Sequence, residues 1–408
     1  MERVVITGIG VIAPNGIGKD AFWEALREGK SGIKPATLID TTSFKTKLGG
    51  ECTDFNAADF LGQKGLRNLD RTTRLVCSAS KLALEDADLE VSEKNTDDLG
   101  VVTATTISFS GDFAAFTKEE SDEGSRFVNP ALFPPTTINY PSSQISIRYK
   151  IKGLNATIST GFSAGLDALK YAVTMIKTGR AKAVLVCGVE GFTFSNYVGF
   201  YKIGFLAGIN GEEISCPFDS RHNGIIFAEA AAALLVEDEE YARRRKARIY
   251  AEVLSVESFF DAYRIGRYAS RPIGLKQSMV EALNKANLRE DDIDYICACA
   301  NSVPQQDILE AQAVKDVFNI YAESIPVSSI KSMIGESVSA SGCLQLIASV
   351  GAINNGFIPP TVNYQSSDTN YNLDYVPGTS REKILNYVLI DSFGPGSNNS
   401  VAIIGKYK

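Results

Sequence analysis

The stretch Asn155–Leu169 constrains this chain most, because it passes from a strand into a helix through small residues. It opens with an apolar, β-branched run, and the following segment Leu166–Lys177 is rich in alanine and leucine. Such a turn presents one side chain at a helix N-terminus, where free N–H groups and the helix dipole lower a thiol's pKa and stabilise an oxyanion. This is the layout of a nucleophile elbow. Its tip is Phe162, which can fill a pocket but cannot attack a carbonyl.

The rest of the chain alternates buried strands with helices. Arg3–Gly16 has the pattern of a buried strand followed by a glycine-rich turn, and Asp20–Lys30 has that of an amphipathic helix. Leu99–Thr106 and Ala181–Glu190 are further buried strands, and a second alternation starts near Ile249. This order predicts α/β layers with a central, mostly parallel sheet in each half. A chain of 408 residues can form two domains or one fold of two similar halves.

Composition and charge argue against several classes of function. The formal net charge is −7 at pH 7, which disfavours a general role on nucleic acids or anionic membranes. No apolar stretch is long enough to span a membrane, and Met1 leads straight into a strand without a signal-peptide pattern. Seven cysteines, an odd number in a large chain, favour reduced thiols and a cytoplasmic location.

No metal and no cofactor are expected. His222 is the single histidine, so Cys297 and Cys299 lack the companion ligands that a structural zinc site needs. The glycines at positions 8, 10 and 16 match a dinucleotide-binding fingerprint only superficially, because a Pro-Asn-Gly turn precedes the helix. The basic run Arg243–Lys246 could supply a patch for an acidic partner, but the solvated end of a helix is the better interpretation of it.

An aromatic segment follows the strand that ends at Thr106. If the segment is helical, the spacing of Phe109, Phe113 and Phe116 places three rings on one face. Phe133 belongs to the same aromatic stretch. An ordinary core face is the simplest explanation of this pattern.

Three motifs give the chain a family resemblance. Ser159–Gly165 resembles the active-site segment of the β-ketoacyl-ACP synthases I and II, condensing enzymes of the thiolase-like superfamily, and Phe162 stands where their acyl-carrying cysteine lies. The opening Val4–Gly16 and the run Pro217–Gly224, which contains the lone histidine, are similar to framework motifs of the same enzymes. The resemblance implies a thiolase-like αβαβα layered fold made of two similar halves, here residues 1–247 and 248–408.

The other positions that carry chemistry in this family also differ here. By resemblance, Cys299 takes the position of the first catalytic histidine, and Glu336 that of the second, five residues after the retained Lys331. A carboxylate at 336 would repel a malonyl carboxylate, so a neutralised Lys331–Glu336 pair is expected. Pro395 replaces the gating phenylalanine and removes a backbone donor. The resemblance therefore implies no catalytic residue, with Phe162, Cys299 and Glu336 as degenerate positions.

The segment Ser163–Leu169 is especially similar to the chain-length factors of type II polyketide synthases, which lack the cysteine. That resemblance implies a non-catalytic subunit that forms a heterodimer with an active ketosynthase and meets the acyl carrier protein through the complex. The pair would condense malonyl-ACP units into an aromatic or polyene polyketide. The residues expected to line or gate the shared tunnel are Phe109, Phe113, Phe116, Phe133, Phe162 and Pro395.

Two other functions are compatible with the same sequence. The chain could be an enzyme of altered chemistry that acts on acyl-ACP, with Cys299 as nucleophile or Lys331 and Glu336 as an acid–base pair. It could also be a standalone homodimer that binds an acyl chain. Against the first, Cys299 is flanked by small residues, which is typical of an inert buried thiol.

Overall fold

The computed structural model describes residues 3–264, 266–367, 371–396 and 398–408. The strands are β1 Val4–Ala13, β2 Gly16–Ile17, β3 Ile33–Pro35, β4 Leu48–Gly50, β5 Leu99–Ala104, β6 Asn155–Ile158, β7 Ala183–Glu190, β8 Ala230–Asp238, β9 Ala251–Phe260, β10 Tyr295–Cys297, β11 Val327–Ser328, β12 Phe357–Ile358, β13 Arg381–Glu382, β14 Tyr387–Phe393 and β15 Asn398–Gly405. The α-helices are α1 Lys19–Arg27, α2 Ala57–Leu61, α3 Arg71–Asp86, α4 Ser110–Glu123, α5 Tyr140–Tyr149, α6 Ala164–Lys177, α7 Phe194–Lys202, α8 Glu239–Arg244, α9 Ile273–Ala286, α10 Pro304–Phe318, α11 Lys331–Ile334 and α12 Ser341–Asn355.

The strand order shows an internal duplication. The main sheet runs β11-β10-β14-β15-β9-β1-β8-β7-β5-β6 in the described residues, with β2 added to β1. If the five strands of each half are numbered in chain order, both halves read first, fifth, fourth, second and third from the centre outward. The first strands of the two halves, β1 and β9, pair antiparallel and join the halves into one sheet.

The sheet is mixed, which corrects the expectation of a mostly parallel sheet in each half. Strands β5, β6 and β7 pair in parallel, as do β10, β11 and β14. The pairs nearest the centre, β7 with β8, β14 with β15, and β8 and β15 with the first strands, are antiparallel. A short connection such as that between β14 and β15 can only join antiparallel neighbours, whereas parallel pairs need a crossover helix.

Three apolar layers surround the strands. The central layer contains α6 and α12, and residues of both helices pack with the inward faces of the strands of both halves. Helices α3 and α5 cover the outer face of the N-terminal strands, and α9 and α10 cover that of the C-terminal strands. The resulting αβαβα arrangement confirms the predicted fold class.

Two glycines allow the close packing of these layers. A Cβ atom at Gly10 would lie 1.9 Å from the Ala79 carbonyl oxygen, so this glycine of the opening motif lets α3 rest on β1. A Cβ atom at Gly165 would lie 2.9 Å from the Cys343 backbone nitrogen, where α6 meets α12. Among the described residues, no helix is both long enough and apolar enough to cross a bilayer.

Candidate active-site region

The elbow forms as the sequence predicts. Strand β6 leads through a single 3-10 turn, Gly161–Ser163, into α6. The turn is held by side chains as well as by the backbone, because Ser163 Oγ donates to Asp167 Oδ2 at 2.9 Å and Ser392 Oγ donates to the Phe162 carbonyl oxygen at 2.7 Å. Phe162 therefore occupies a fixed position at the start of the helix.

The ring of Phe162 fills the space in front of the elbow. The side chain is 8% exposed and belongs to an apolar cluster with Phe192, Phe227 and Val338. On its other side the ring lies against the backbone of Gly394, where an added Cβ atom would come within 2.6 Å of it. The tip of the elbow is thus closed by a hydrocarbon ring and offers no atom for covalent chemistry.

Cys299 lies just beyond the end of β10 and is fully buried. Its backbone N–H faces two carboxylates, with Glu310 Oε1 at 2.7 Å and Asp391 Oδ1 at 3.0 Å. Burial, reinforced by the negative charge of these carboxylates, raises the pKa of the Cys299 thiol well above its usual range. The thiol is consequently protonated near neutral pH and is a poor nucleophile.

Glu310 and Asp391 form a buried acidic pair that the sequence pattern did not reveal. Burial raises the pKa of Glu310 well above its ordinary value, and the neighbouring Asp391 raises it further. Burial also raises the pKa of Asp391. Two carboxyl groups in one dry site cannot both ionise without a counter-cation, so the pair holds a proton.

These groups offer the ligand types that a metal ion takes. Cys299 Sγ and one oxygen each of Glu310 and Asp391 lie within 4.8 Å of one another. A protonated thiol and a carboxyl pair that holds a proton provide less charge to a metal than the ionised set would. The ammonium of Lys331, 2.8 Å from the Cys299 carbonyl oxygen, would also repel a second cation bound close to it.

Lys331 and Glu336 form a buried ion pair, with Nζ 2.7 Å from Oε2 and both side chains 1% exposed or less. Every oxygen of Glu336 is occupied: Asn301 Nδ2 also donates to Oε2 at 2.8 Å, while the Val338 N–H and Ser341 Oγ donate to Oε1 at 2.8 and 2.6 Å. Burial acts to lower the pKa of Lys331, but Glu336, together with Cys299 and Glu310, acts against it, and the net effect is a raised pKa.

Lys331 also links the two halves of this centre. Its Nζ donates to the Cys299 carbonyl oxygen at 2.8 Å, so Cys299, Lys331 and Glu336 converge on one ammonium group. Phe162 reaches the same place through Val338, whose N–H is bound by Glu336. We call the group formed by Phe162, Cys299, Lys331 and Glu336 the inner centre.

The lone histidine is bonded to a buried aspartate. His222 Nδ1 lies 3.0 Å from Asp307 Oδ2, and both side chains are buried. Asp307 in turn accepts from the backbone N–H groups of Phe218 and Asn301. His222 therefore helps to hold the loop that carries Asn301, as its position in a framework motif predicts.

The gate position lies beside the elbow. Pro395 is half-buried in the turn between β14 and β15, next to the Gly394 backbone that Phe162 contacts.

Gln345, from the central helix α12, donates from Nε2 to the carbonyl oxygens of Cys297 and Asp391 at 3.0 Å each. Gln345 thereby connects helix α12 to strands β10 and β14.

The aromatic segment begins at the elbow and then leaves it. Thr106 Oγ1 bonds to Ser339 Oγ at 2.6 Å, and Ser339 Oγ donates to the Gly161 carbonyl oxygen at 3.3 Å. Helix α4 then carries the following rings outward, and none of its residues is buried. Phe113 is 53% exposed and Phe133 58% exposed. Their assignment to a tunnel remains a prediction.

Two half-buried rings, Phe109 and Phe116, accompany the exposed rings of this segment. Phe109 precedes α4, and Phe116 lies one turn beyond Phe113 with its centroid 5.9 Å from that of Phe133. We call the surface formed by Phe109, Phe113, Phe116, Phe127 and Phe133 the aromatic face. In the single chain the aromatic face points outward, whereas Phe162 is buried in the inner centre.

The chain is similar to known proteins along its whole length. The sequence profile described as "Beta-ketoacyl synthase, N-terminal domain" matches residues 1–242, and that of the C-terminal domain matches residues 250–365. A 3-oxoacyl-[acyl-carrier-protein] synthase 2 of Coxiella burnetii (strain RSA 493 / Nine Mile phase I) is 35% identical over 411 residues, with 99% of each chain covered.

Solved structures add a second set of similarities. The structure named "The ishigamide ketosynthase/chain length factor" superposes with a TM-score of 0.93 at 29% identity, over 100% of both chains. A type II polyketide synthase ketosynthase, AntDE, in complex with its acyl-carrier protein AntF gives 0.91 at 27% identity, again over 100% of both chains.

Proposed function

This chain belongs to the β-ketoacyl synthase family, and we propose that it serves there as a non-catalytic chain-length factor. It would pair with an active ketosynthase and shape the tunnel in which a polyketide grows from malonyl-ACP units. The acyl carrier protein would act through the complex, since the net charge of −7 does not favour an acidic carrier on this chain alone.

The observation that carries the proposal is the state of the inner centre. Decarboxylative condensation needs a thiolate nucleophile and neutral imidazoles that hold the thioester carbonyl. Here Phe162 provides no nucleophile, and Lys331 and Glu336 satisfy each other in a dry interior. The only imidazole of the chain, His222, is bonded to Asp307.

The outer surface supports pairing with another subunit. Strand β6 lies at the end of the main sheet, where β5 is its one neighbour in the described sheet order. An open sheet edge is a ready template for another chain. The aromatic face adds exposed rings at Phe113, Phe127 and Phe133. Large exposed apolar patches mark interaction sites.

The comparisons are compatible with this role. One structure of high similarity is titled a ketosynthase/chain length factor, and another contains a type II polyketide synthase ketosynthase with its carrier protein. Within the proposal, Phe109, Phe113, Phe116 and Phe133 limit chain length from the subunit interface, Phe162 closes this subunit's own pocket, and Pro395 lies at the former gate.

A second candidate function is catalysis with altered chemistry, because the curated relative of 35% identity is named a synthase. Cys299 or the pair Lys331 and Glu336 would then act on an acyl-ACP thioester. The raised pKa of the Cys299 thiol and the complete pairing of Glu336 oppose this. Unchanged product formation by a complex carrying Cys299→Ala would remove the main form of this alternative.

Co-expression with a candidate ketosynthase, followed by native mass spectrometry, tests the proposal. We expect a one-to-one heterodimer with little homodimer. Phe133→Asp should weaken that heterodimer, because a charge would be buried at the interface, whereas Phe260→Asp, at an equally exposed ring distant from the aromatic face in sequence, serves as the matched control. A homodimer that ignores the ketosynthase would contradict the proposal and favour a standalone acyl-binding protein.

A further inference from the structure

A shallow pocket lies beside the turn between β14 and β15, against which Phe162 packs. The exposed Arg267 and Arg271 and the buried Pro272 line it from the segment that connects β9 to α9. Its depth is lined by Phe393 and Gly394, which belong to the end of β14 and the turn that Phe162 contacts. The pocket volume is about 10 Å³, which is room for about one water molecule.

Tyr268 forms the floor of this pocket. Only 8% of the residue is exposed, and its ring packs edge-on against Phe393 with centroids 6.3 Å apart. Leu309 borders the same pocket and shares the apolar cluster of Tyr268. The tyrosine is therefore a packed core residue, although it is carried by an irregular segment whose neighbours are exposed.

A hydrogen-bonded relay connects Tyr268 to the inner centre. The Tyr268 hydroxyl donates to Gln306 Oε1, and Gln306 Nε2 lies 3.4 Å from Cys299 Sγ and 3.3 Å from the Cys299 carbonyl oxygen. Asn301 Nδ2, which binds Glu336, also lies 3.3 Å from Gln306 Oε1. Tyr268 and Gln306 thus lie between the pocket and Cys299 on one side. Phe393 lines the pocket as well, and its carbonyl oxygen lies 4.0 Å from Cys299 Sγ.

The segment that carries Tyr268 is fixed at one end. Asp261 Oδ1 accepts from the Gly274 backbone N–H at 2.8 Å, and Asp261 Oδ2 accepts from Asn399 Nδ2 at 3.0 Å. This carboxylate is thereby engaged within the protein. Arg267 and Arg271 are exposed. The rim is positively charged, but the space beneath it is filled.

We propose that Tyr268 closes the route from this pocket to the inner centre. Molecules larger than water would therefore not reach Cys299 from the pocket. The closure is argued from the packing of Tyr268 and does not depend on the proposed function. Its consequence for synthesis rests on the proposed function: extension units would enter the shared tunnel only through the partner ketosynthase.

Alkylation of Cys299 by iodoacetamide in the folded full-length chain, followed by peptide mass spectrometry, measures the closure. All seven cysteines are free and buried, so each reports on local access. Tyr268→Ala should accelerate labelling of Cys299 by about tenfold or more, because access and solvation both increase thiol reactivity. Tyr268→Phe keeps the ring, so its Cys299 rate should stay within about threefold of the parent.

Cys297, two residues earlier on β10, is the internal control and should keep its rate in both variants. An unchanged Cys299 rate in folded Tyr268→Ala would overturn the proposal. If that variant unfolds, Cys297 accelerates equally, and Tyr268→Val then takes its place with the same two outcomes. Failure to pair with a ketosynthase would affect the proposed function but not this result.

Discussion

The inner centre and the aromatic face differ in which side chains are buried. In the inner centre, Lys331 and Glu336 are buried and hydrogen-bonded to each other and to surrounding groups. On the aromatic face, Phe113 and Phe133 expose more than half of their surface. The polar groups lie inside and the large apolar rings outside, the reverse of the usual distribution. The charged groups of the inner centre therefore find their partners within the chain, whereas the rings of the aromatic face leave apolar surface open to solvent.

The largest expected loss of stability comes from breaking the ion pair of the inner centre. Glu336→Ala should lower the free energy of unfolding by about 3–5 kcal/mol, because Lys331 would remain as an unpaired buried cation. Chemical denaturation of the purified chain measures this. The exposed pair of Lys276 and Asp316, whose charged atoms lie 2.8 Å apart, provides the control, and Asp316→Ala should cost less than about 1 kcal/mol. Equal losses for the two variants would contradict the contrast.

The double variant Lys331→Met with Glu336→Leu sharpens the same point. Removing both charges leaves no buried ion without a partner, so the loss should be clearly smaller than that of Glu336→Ala alone. A loss as large as the sum of the two single losses would mean that the charges act independently, and the ion-pair account of the inner centre would then be wrong.

The next effect compares two phenylalanines. Phe162→Ala should lower the free energy of unfolding by about 3 kcal/mol, because it opens a cavity in the cluster with Phe192 and Phe227. Phe133→Ala, on the aromatic face, should change it by less than about 0.5 kcal/mol in the isolated chain. Thermal unfolding of both variants in one buffer provides the measurement. Similar losses would erase the distinction between the two regions.

The acidic pair near Cys299 makes stability depend on pH. The pKa of Glu310 is raised on folding, so the folded chain binds the proton more tightly than the unfolded chain does. This contribution to stability is complete below the ordinary carboxyl pKa and is lost as the pH rises through the raised value. The decline should be at most about 1.4 kcal/mol per pH unit for one proton.

Glu310→Gln should flatten that decline, because the amide mimics the protonated acid, whereas Glu93→Gln at an exposed position should not. Denaturation midpoints measured from pH 5 upward, at about one-unit steps, resolve a slope of this size. An identical slope in the parent and in Glu310→Gln would show that Glu310 does not take up the proton on folding.

The smallest effect on stability is expected where the effect on function is expected. Phe113→Ala and Phe116→Ala should leave unfolding of the isolated chain nearly unchanged, within about 0.5 kcal/mol. In a reconstituted pair with an active ketosynthase, they should lengthen the polyketide product. Product masses decide this, and unchanged length in both variants would refute the assignment of the aromatic face to the tunnel.

Much of the architecture follows from local sequence patterns. The strand-to-helix elbow around Phe162 was predictable from its small residues, and the layered fold from the alternation of strands and helices. The antiparallel centre of the sheet was not, because alternation along the chain does not report which strands become neighbours. The pairing of β1 with β9 joins segments that lie far apart in sequence.

The site was predictable where motifs are short. The family resemblance drew attention to Lys331 and Glu336, their opposite charges led to the expectation of a neutralised pair, and the structure contains that pair. Asp391 and Tyr268 were missed because each meets its partners over long sequence separations, as Asp391 does with Cys299. A buried aspartate within the apolar strand β14 was the one available signal.

The proposal that this chain contributes no catalytic chemistry is tested most directly by carbon dioxide release from carboxyl-labelled malonyl-ACP. The assay uses the purified chain alone and in a pair whose ketosynthase lacks its nucleophilic cysteine. We expect no release above that of buffer in the first case, and no change on Lys331→Met or Cys299→Ala in the second. Release by the chain alone that disappears with either variant would contradict the account.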